Sequence, residues 1–166
     1  MRGPLQGVSL ELLPAQVTTW ASWIEAHPNS LALVNDMERL SFTRQGFDPD
    51  FVIGLVLEDA AKAFYFQDVE QVGVVNTTLG RFPVVVWAQD TDFRAYLRQV
   101  GDRILTFSLD GKMLIDQETG SRWDINRGLA VAGELQNESL QAVPSLTSYD
   151  WAWVDFYPHS DFYRPD

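Results

Sequence analysis

The 166-residue sequence contains no cysteine. That excludes disulfides, thiolate metal sites, iron–sulfur clusters and cysteine nucleophiles, and it leaves the compartment open. Histidine is almost as scarce: His27 and His159 are the only two, too few for a multi-histidine metal centre. Each flanks a proline, Pro28 or Pro158, and both read as surface or helix C-cap residues. His159, Ser160 and Asp161 are chain neighbours, whereas the members of a catalytic triad converge from separate segments. Lys62 and Lys112 are the only lysines, and the arginines are spread singly from Arg2 to Arg164. With 23 acidic against 12 basic residues the formal charge is −11. Such a charge repels phosphate backbones and anionic lipid surfaces, so nucleic acid and membrane surfaces are not expected partners. The longest apolar runs, such as Phe82 to Ala88, fall far short of the ~20 residues that span a bilayer. After Arg2 come Gly3, Pro4, Gln6, Ser9 and Glu11 rather than an apolar export signal. As given, the chain is therefore expected in the cytoplasm, and an extracytoplasmic place requires it to be a fragment. There is no Gly-x-Gly-x-x-Gly, phosphate-binding loop or nucleophile elbow, so no cofactor is expected.

What the chain does have is aromatic residues: six Trp, ten Phe and five Tyr. Large rigid rings favour sheets and can line a binding groove, though buried apolar area is their commonest use. Apolar residues at 46% and charged residues at 21% are ordinary globular usage, and the length suits one core.

The sequence also repeats itself. Adding 130 to Leu5, Gln6, Ser9, Leu10, Pro14, Trp23, Pro28 and Ser30 gives Leu135, Gln136, Ser139, Leu140, Pro144, Trp153, Pro158 and Ser160 without a gap. Both copies predict an extended piece ending near the first proline, a Ser/Thr N-cap, a Trp-bearing helix and a proline that stops it. The helices are expected at about 19–26, capped by Thr18 or Thr19, and at about 149–156, capped by Thr147 or Ser148. Only the second copy follows a run of strands. The division expected is therefore a tail segment over 1–34 resembling the end of a preceding module, a linker over 35–50, and a complete module over 51–166. The tail needs a surface to dock on, in an upstream module, in this one or in a second chain, since an exposed apolar helix face is rarely tolerated.

Between the copies, apolar residues recur at strand spacing with turn residues every eight to twelve positions. Strands are expected at 51–57, 61–66, 84–88 and 95–100, a helical turn at 67–72, and a hairpin turning at Asp110-Gly111 between 104–109 and 112–116. Strands at 121–124, 128–134 and 139–143 would follow. The fold class is mainly β (α+β): an antiparallel sheet or partly closed barrel with short Trp-bearing helices.

Leu12-Leu13-Pro14-Ala15, Thr18-Thr19-Trp20-Ala21-Ser22-Trp23 and His27-Pro28 resemble the end of a bacterial and archaeal module known only as domain of unknown function 3179. The second half is similar to the same family throughout: Val52-Ile53-Gly54, Ala61-Lys62-Ala63-Phe64, Gly73-Val74-Val75-Asn76, Leu79-Gly80-Arg81-Phe82-Pro83-Val84-Val85-Val86, and above all Asp116-Gln117-Glu118-Thr119-Gly120-Ser121-Arg122-Trp123-Asp124. Where many family modules carry two cysteines after the Val-Val-Val strand, this chain has Trp87-Ala88-Gln89-Asp90-Thr91, so no thiol chemistry carries over. The resemblance implies the module and lends it no activity.

Asp116, Glu118, Ser121, Trp123 and Asp124 are the candidate ligand-binding residues. Three carboxylates around a tight turn could face a hard cation such as Ca²⁺ or a substrate. The spacing of a complete calcium loop is absent, and the same residues make a polar hairpin turn in which Gly120 takes positive φ; no metal is therefore expected. Trp20 with Trp23, and Trp151 with Trp153, could form aromatic platforms or pack on the sheet. Taken together, these features predict a non-enzymatic binding or scaffold module, with an enzyme built on the acidic turn as the alternative.

Overall fold

The structure is a computed structural model that describes residues 4, 7, 8, 13, 17–32 and 49–165. Helix α1 (Trp20–Ala26) precedes β1 (Phe51–Leu57), β2 (Ala60–Tyr65), helix α2 (Phe66–Val72), β3 (Val74–Leu79), β4 (Phe82–Gln89) and β5 (Asp92–Leu97). Then come β6 (Gln99–Val100), β7 (Arg103–Ile104), β8 (Phe107–Asp110), β9 (Met113–Asp116), β10 (Arg122–Asp124) and β11 (Leu129–Ala132). The chain closes with β12 (Ser145–Tyr149), helix α3 (Asp150–Phe156) and β13 (Asp161–Phe162). The expected mainly β class holds. The sheets run β12-β1-β2-β13, β3-β4-β5, β11-β10-β9-β8 and β6-β7, all antiparallel except where β13 lies parallel to β2. The sheets are open: each ends in edge strands, and none closes into a barrel among the described residues. The expected linker and the first copy's extended piece lie outside the described residues, apart from the turn at Pro49 and Asp50.

Three apolar clusters stack the sheets. β4 is the middle strand of its sheet: Val84, Val86 and Ala88 pack with Ile53, Leu55 and Phe64, while Val85 and Trp87 pack with Phe107, Leu114 and Trp123. A strand covered on both faces reads as a continuous apolar run, which is the pattern of Phe82 to Ala88. The far face of the first sheet, carrying Val52, Ala61 and Ala63, receives Trp153 from α3. Gly54 makes that contact fit: a β carbon there would fall within 2.6 Å of Trp153 Cη2 and nearer still to Cζ3.

The Asp110-Gly111 hairpin forms as expected, with Gly111 at φ 62°, and Gly120 takes φ 69° in the next turn. The strand expected at 139–143 is reduced to isolated bridges of Ser139 with Leu129 and Ala142 with Tyr96, and regular pairing begins after Pro144. A proline has no amide to give a ladder. Thr147 and Ser148 are consequently strand residues paired with Ile53 and Val52, not helix caps, and the cap position of α3 falls to Tyr149, which makes no side-chain cap. In α1 the expected cap forms, with Thr19 accepting from the Ser22 amide at 3.1 Å.

At a spacing of 130 residues the two Trp-bearing helices have the same local geometry. The Trp23 indole donates to Ser30 Oγ at 2.8 Å and lies 4.2 Å from the His27 ring; the Trp153 indole donates to Ser160 Oγ at 2.7 Å and lies 4.3 Å from the Tyr157 ring. Their surroundings differ. Trp153 is 1% exposed, whereas Trp23 is 38% exposed and α1 has no buried residue. Among the described residues α1 does not meet a surface like the one beneath α3. It meets the module through the hydrogen bonds described below and an exposed ion pair between Glu25 and Lys112 at 3.9 Å.

Candidate functional site

The family-like turn between β9 and β10 gathers three of the five candidate residues into one network. Asp116 is fully buried: Oδ1 accepts the Thr119 amide at 2.6 Å and hydroxyl at 2.7 Å, and Oδ2 accepts the Trp123 indole at 2.9 Å. Burial alone would raise this carboxyl, but the bonds from Trp123 and Thr119, and from the Thr119 and Ser121 amides, outweigh it and hold the group below its ordinary value. Ser121 Oγ bonds Thr119 Oγ1 at 2.7 Å and accepts the Leu135 amide at 3.0 Å. Trp123, also fully buried, meets Phe107 edge-on at 5.8 Å. The other two candidates point elsewhere. Glu118 accepts the Thr106 amide at 2.8 Å, and Asp124 accepts the amides of Asn126 and Arg127 at 2.8 and 3.2 Å. No three His, Cys, Asp or Glu side chains converge at metal-binding spacing among the described residues. The geometry is that of a turn whose acids bind their own chain.

An open aromatic groove of about 610 Å³ lies on the opposite layer, between β2, α3 and the C-terminal segment. Tyr65, Trp151, Phe162 and Tyr163 supply its rings; Asp68, Asp150 and Asp155 rim it, with Arg164 at one end. Trp151 is 65% exposed. The Tyr65 hydroxyl donates to Asp150 Oδ2 at 3.0 Å, fixing the ring 5.7 Å from Phe162. Burial, then that bond and the charges of Asp150, Asp50 and Asp68, raise the Tyr65 pKa and keep its hydroxyl a donor. The groove joins one residue from a strand end to one from α3 and two from the segment after it, and of these only Trp151 was named as an aromatic-platform residue from the sequence.

A third polar site was not legible as such. Asp92 and Arg94 lie two apart on β5, hence on one face, and are 8% and 3% exposed. Arg94 donates to Phe93 O at 2.7 Å, Asn126 Oδ1 at 2.8 Å and Thr18 Oγ1 at 3.3 Å; Asp92 Oδ1 accepts the Thr19 amide at 2.7 Å. Burial lowers the guanidinium's pKa, against the pull of Tyr96, Asp92 and Asp124. Tyr96 next to it is pushed up to about 12, chiefly by burial. A cavity of about 210 Å³ separates α1 from the module here, and the Trp87 Nε1 and Arg94 Nε donors have no partner among the described residues. The available signal was two opposite charges on one face of an otherwise apolar strand, Asp92-Phe93-Arg94-Ala95-Tyr96.

A family model described as a protein of unknown function (DUF3179) matches residues 47–160. No curated protein and no solved structure matches the chain.

Proposed function

Since the chain belongs to the DUF3179 family, whose function is unknown, we propose from the geometry that it is a non-enzymatic binding or scaffold module. The observation that carries this reading is the exposed aromatic groove of Tyr65, Trp151, Phe162 and Tyr163 with its carboxylate rim. Flat rings beside acceptors suit a neutral or cationic ligand, a sugar or a Lys- and Arg-bearing peptide, through stacking and cation–π contact. The enzyme alternative gains nothing from Asp116, because a general acid or base needs access to substrate and a pKa near the working pH. The shared geometry of the two Trp-bearing helices supports the remaining part of the proposal, a tail over 1–34 that ends one module ahead of another over 51–166.

The test is a thermal-shift screen against sugars, basic peptides, Ca²⁺ and Mg²⁺, with chelator as control, since a ligand of the folded state raises its melting temperature. A sugar or basic peptide should raise it, and Trp151→Ala should remove that shift while leaving the unliganded melt in place. A shift from the metals alone, lost in Asp116→Asn, would instead favour the enzyme reading.

A further inference from the structure

The geometry points to Asp92, Arg94 and Asn126 as a recognition site for the first turn of the tail's helix, a joint that fixes one module against the next. This rests on the scaffold part of the reading above and names its partner: the Thr18–Ser22 turn, held here within the chain. Every contact is with a polar group of that turn. Asp92 takes the Thr19 amide, Arg94 reaches Thr18 Oγ1, and Asn126 Oδ1 accepts from Ser22 Oγ at 3.4 Å. The Thr19 backbone, at φ −74° and ψ 154°, is extended at this point, so its amide faces outward from the helix and is free to be read.

The repeat supplies an independent observation. At the +130 positions Ser22 becomes Ala152, which has no hydroxyl to give, Thr18 becomes Ser148, which keeps one, and Trp23 and Ser30 are retained. The first copy thus departs from the second at Ser22, whose hydroxyl meets Asn126, and agrees at Trp23 and Ser30, which build the helix and its turn. The contact is also unlike a core. α1 buries no residue, the 210 Å³ cavity lies alongside, and two donors there lack partners among the described residues. A contact made of a few hydrogen bonds opens far more readily than the sheets beneath it.

Hydrogen exchange on the full chain tests the joint. The Thr19 amide should be protected in the parent. In Asp92→Ala it should exchange at least about tenfold faster, the effect of losing one charge-assisted bond, with the amides of β4 and β5 unchanged. Thr18→Val alters only the tail and should give a smaller acceleration of the same amide, so a disturbed β5 in Asp92→Ala still leaves a readout. An unprotected Thr19 amide in the parent, or one indifferent to both substitutions, overturns the joint. A groove that binds no sugar or peptide leaves Thr19 protection untouched, which separates this failure from that one.

Discussion

Replacing Trp153 and Trp23 by Ala, one at a time, contrasts the same local motif in two environments. Both indoles bond a serine seven residues on and lie against the ring four residues on. Truncation therefore removes the same short-range contacts in each case, and any difference reports what lies beyond the helix. Trp153 lies against Gly54 and among Val52, Ala61, Ala63, Leu146 and Phe162. A tryptophan covers about 150–250 Å², which at about 25 cal/mol per Å² corresponds to ~4–6 kcal/mol as an upper bound. Measured aromatic-to-alanine losses in cores of about 3–5 kcal/mol set the expectation. Trp23 is 38% exposed, and its indole meets His27 and Ser30 of its own turn. Its truncation should cost the module less than about 1 kcal/mol, as surface changes do. Urea unfolding followed by far-ultraviolet circular dichroism, with the slope required to stay constant, gives both numbers. Equal losses would refute the reasoning, as would a loss below about 1 kcal/mol for Trp153→Ala.

Two further outcomes follow from single contacts. Gly54→Ala places a β carbon inside the Trp153 ring and should cost about 1–3 kcal/mol or more; in a Trp153→Ala background the same change should be nearly silent, and additivity in that cycle would sink the packing argument. The folded pKa of Asp116 lies below its ordinary 3.8, so its carboxylate contributes stability that is fully present above that value and lost as pH falls through the folded pKa. Asp116→Asn presents an NH₂ to donors and should cost about 1–3 kcal/mol at pH 7 while flattening the acid limb of stability against pH; an unaltered acid limb would show that Asp116 does not contribute to it.

Local chemistry decided much of this protein in advance. The Phe51–Leu57 strand, the Asp110-Gly111 hairpin, the Thr19 cap and the positive φ at Gly120 depend on neighbours within a few residues, and each forms where the sequence placed it. The +130 correspondence foretold the shared geometry of the two Trp-bearing helices for the same reason, because the Trp-to-Ser bond and the turn after the helix span only seven residues. The polar-turn reading of Asp116 and Ser121 was also available locally, since the partners Thr119 and Trp123 are three and seven positions away.

Long-range assembly decided the rest. Whether Thr147 and Ser148 cap a helix or continue a strand depends on β1 lying beside them, some ninety residues earlier in the chain. That Trp153 is buried while Trp23 is not depends on the β1–β2 face beneath α3, where Gly54 leaves room for the ring, and no pattern within either helix encodes it. The aromatic groove joins Tyr65 to Trp151 and Phe162, and the Asp92–Arg94 pair of β5 meets Asn126 and the Thr18–Ser22 turn across separations that carry no periodicity. Sequence spacing encodes which residues share a face of one element. Which faces meet is set by how the layers pack, and that is a property of the whole chain.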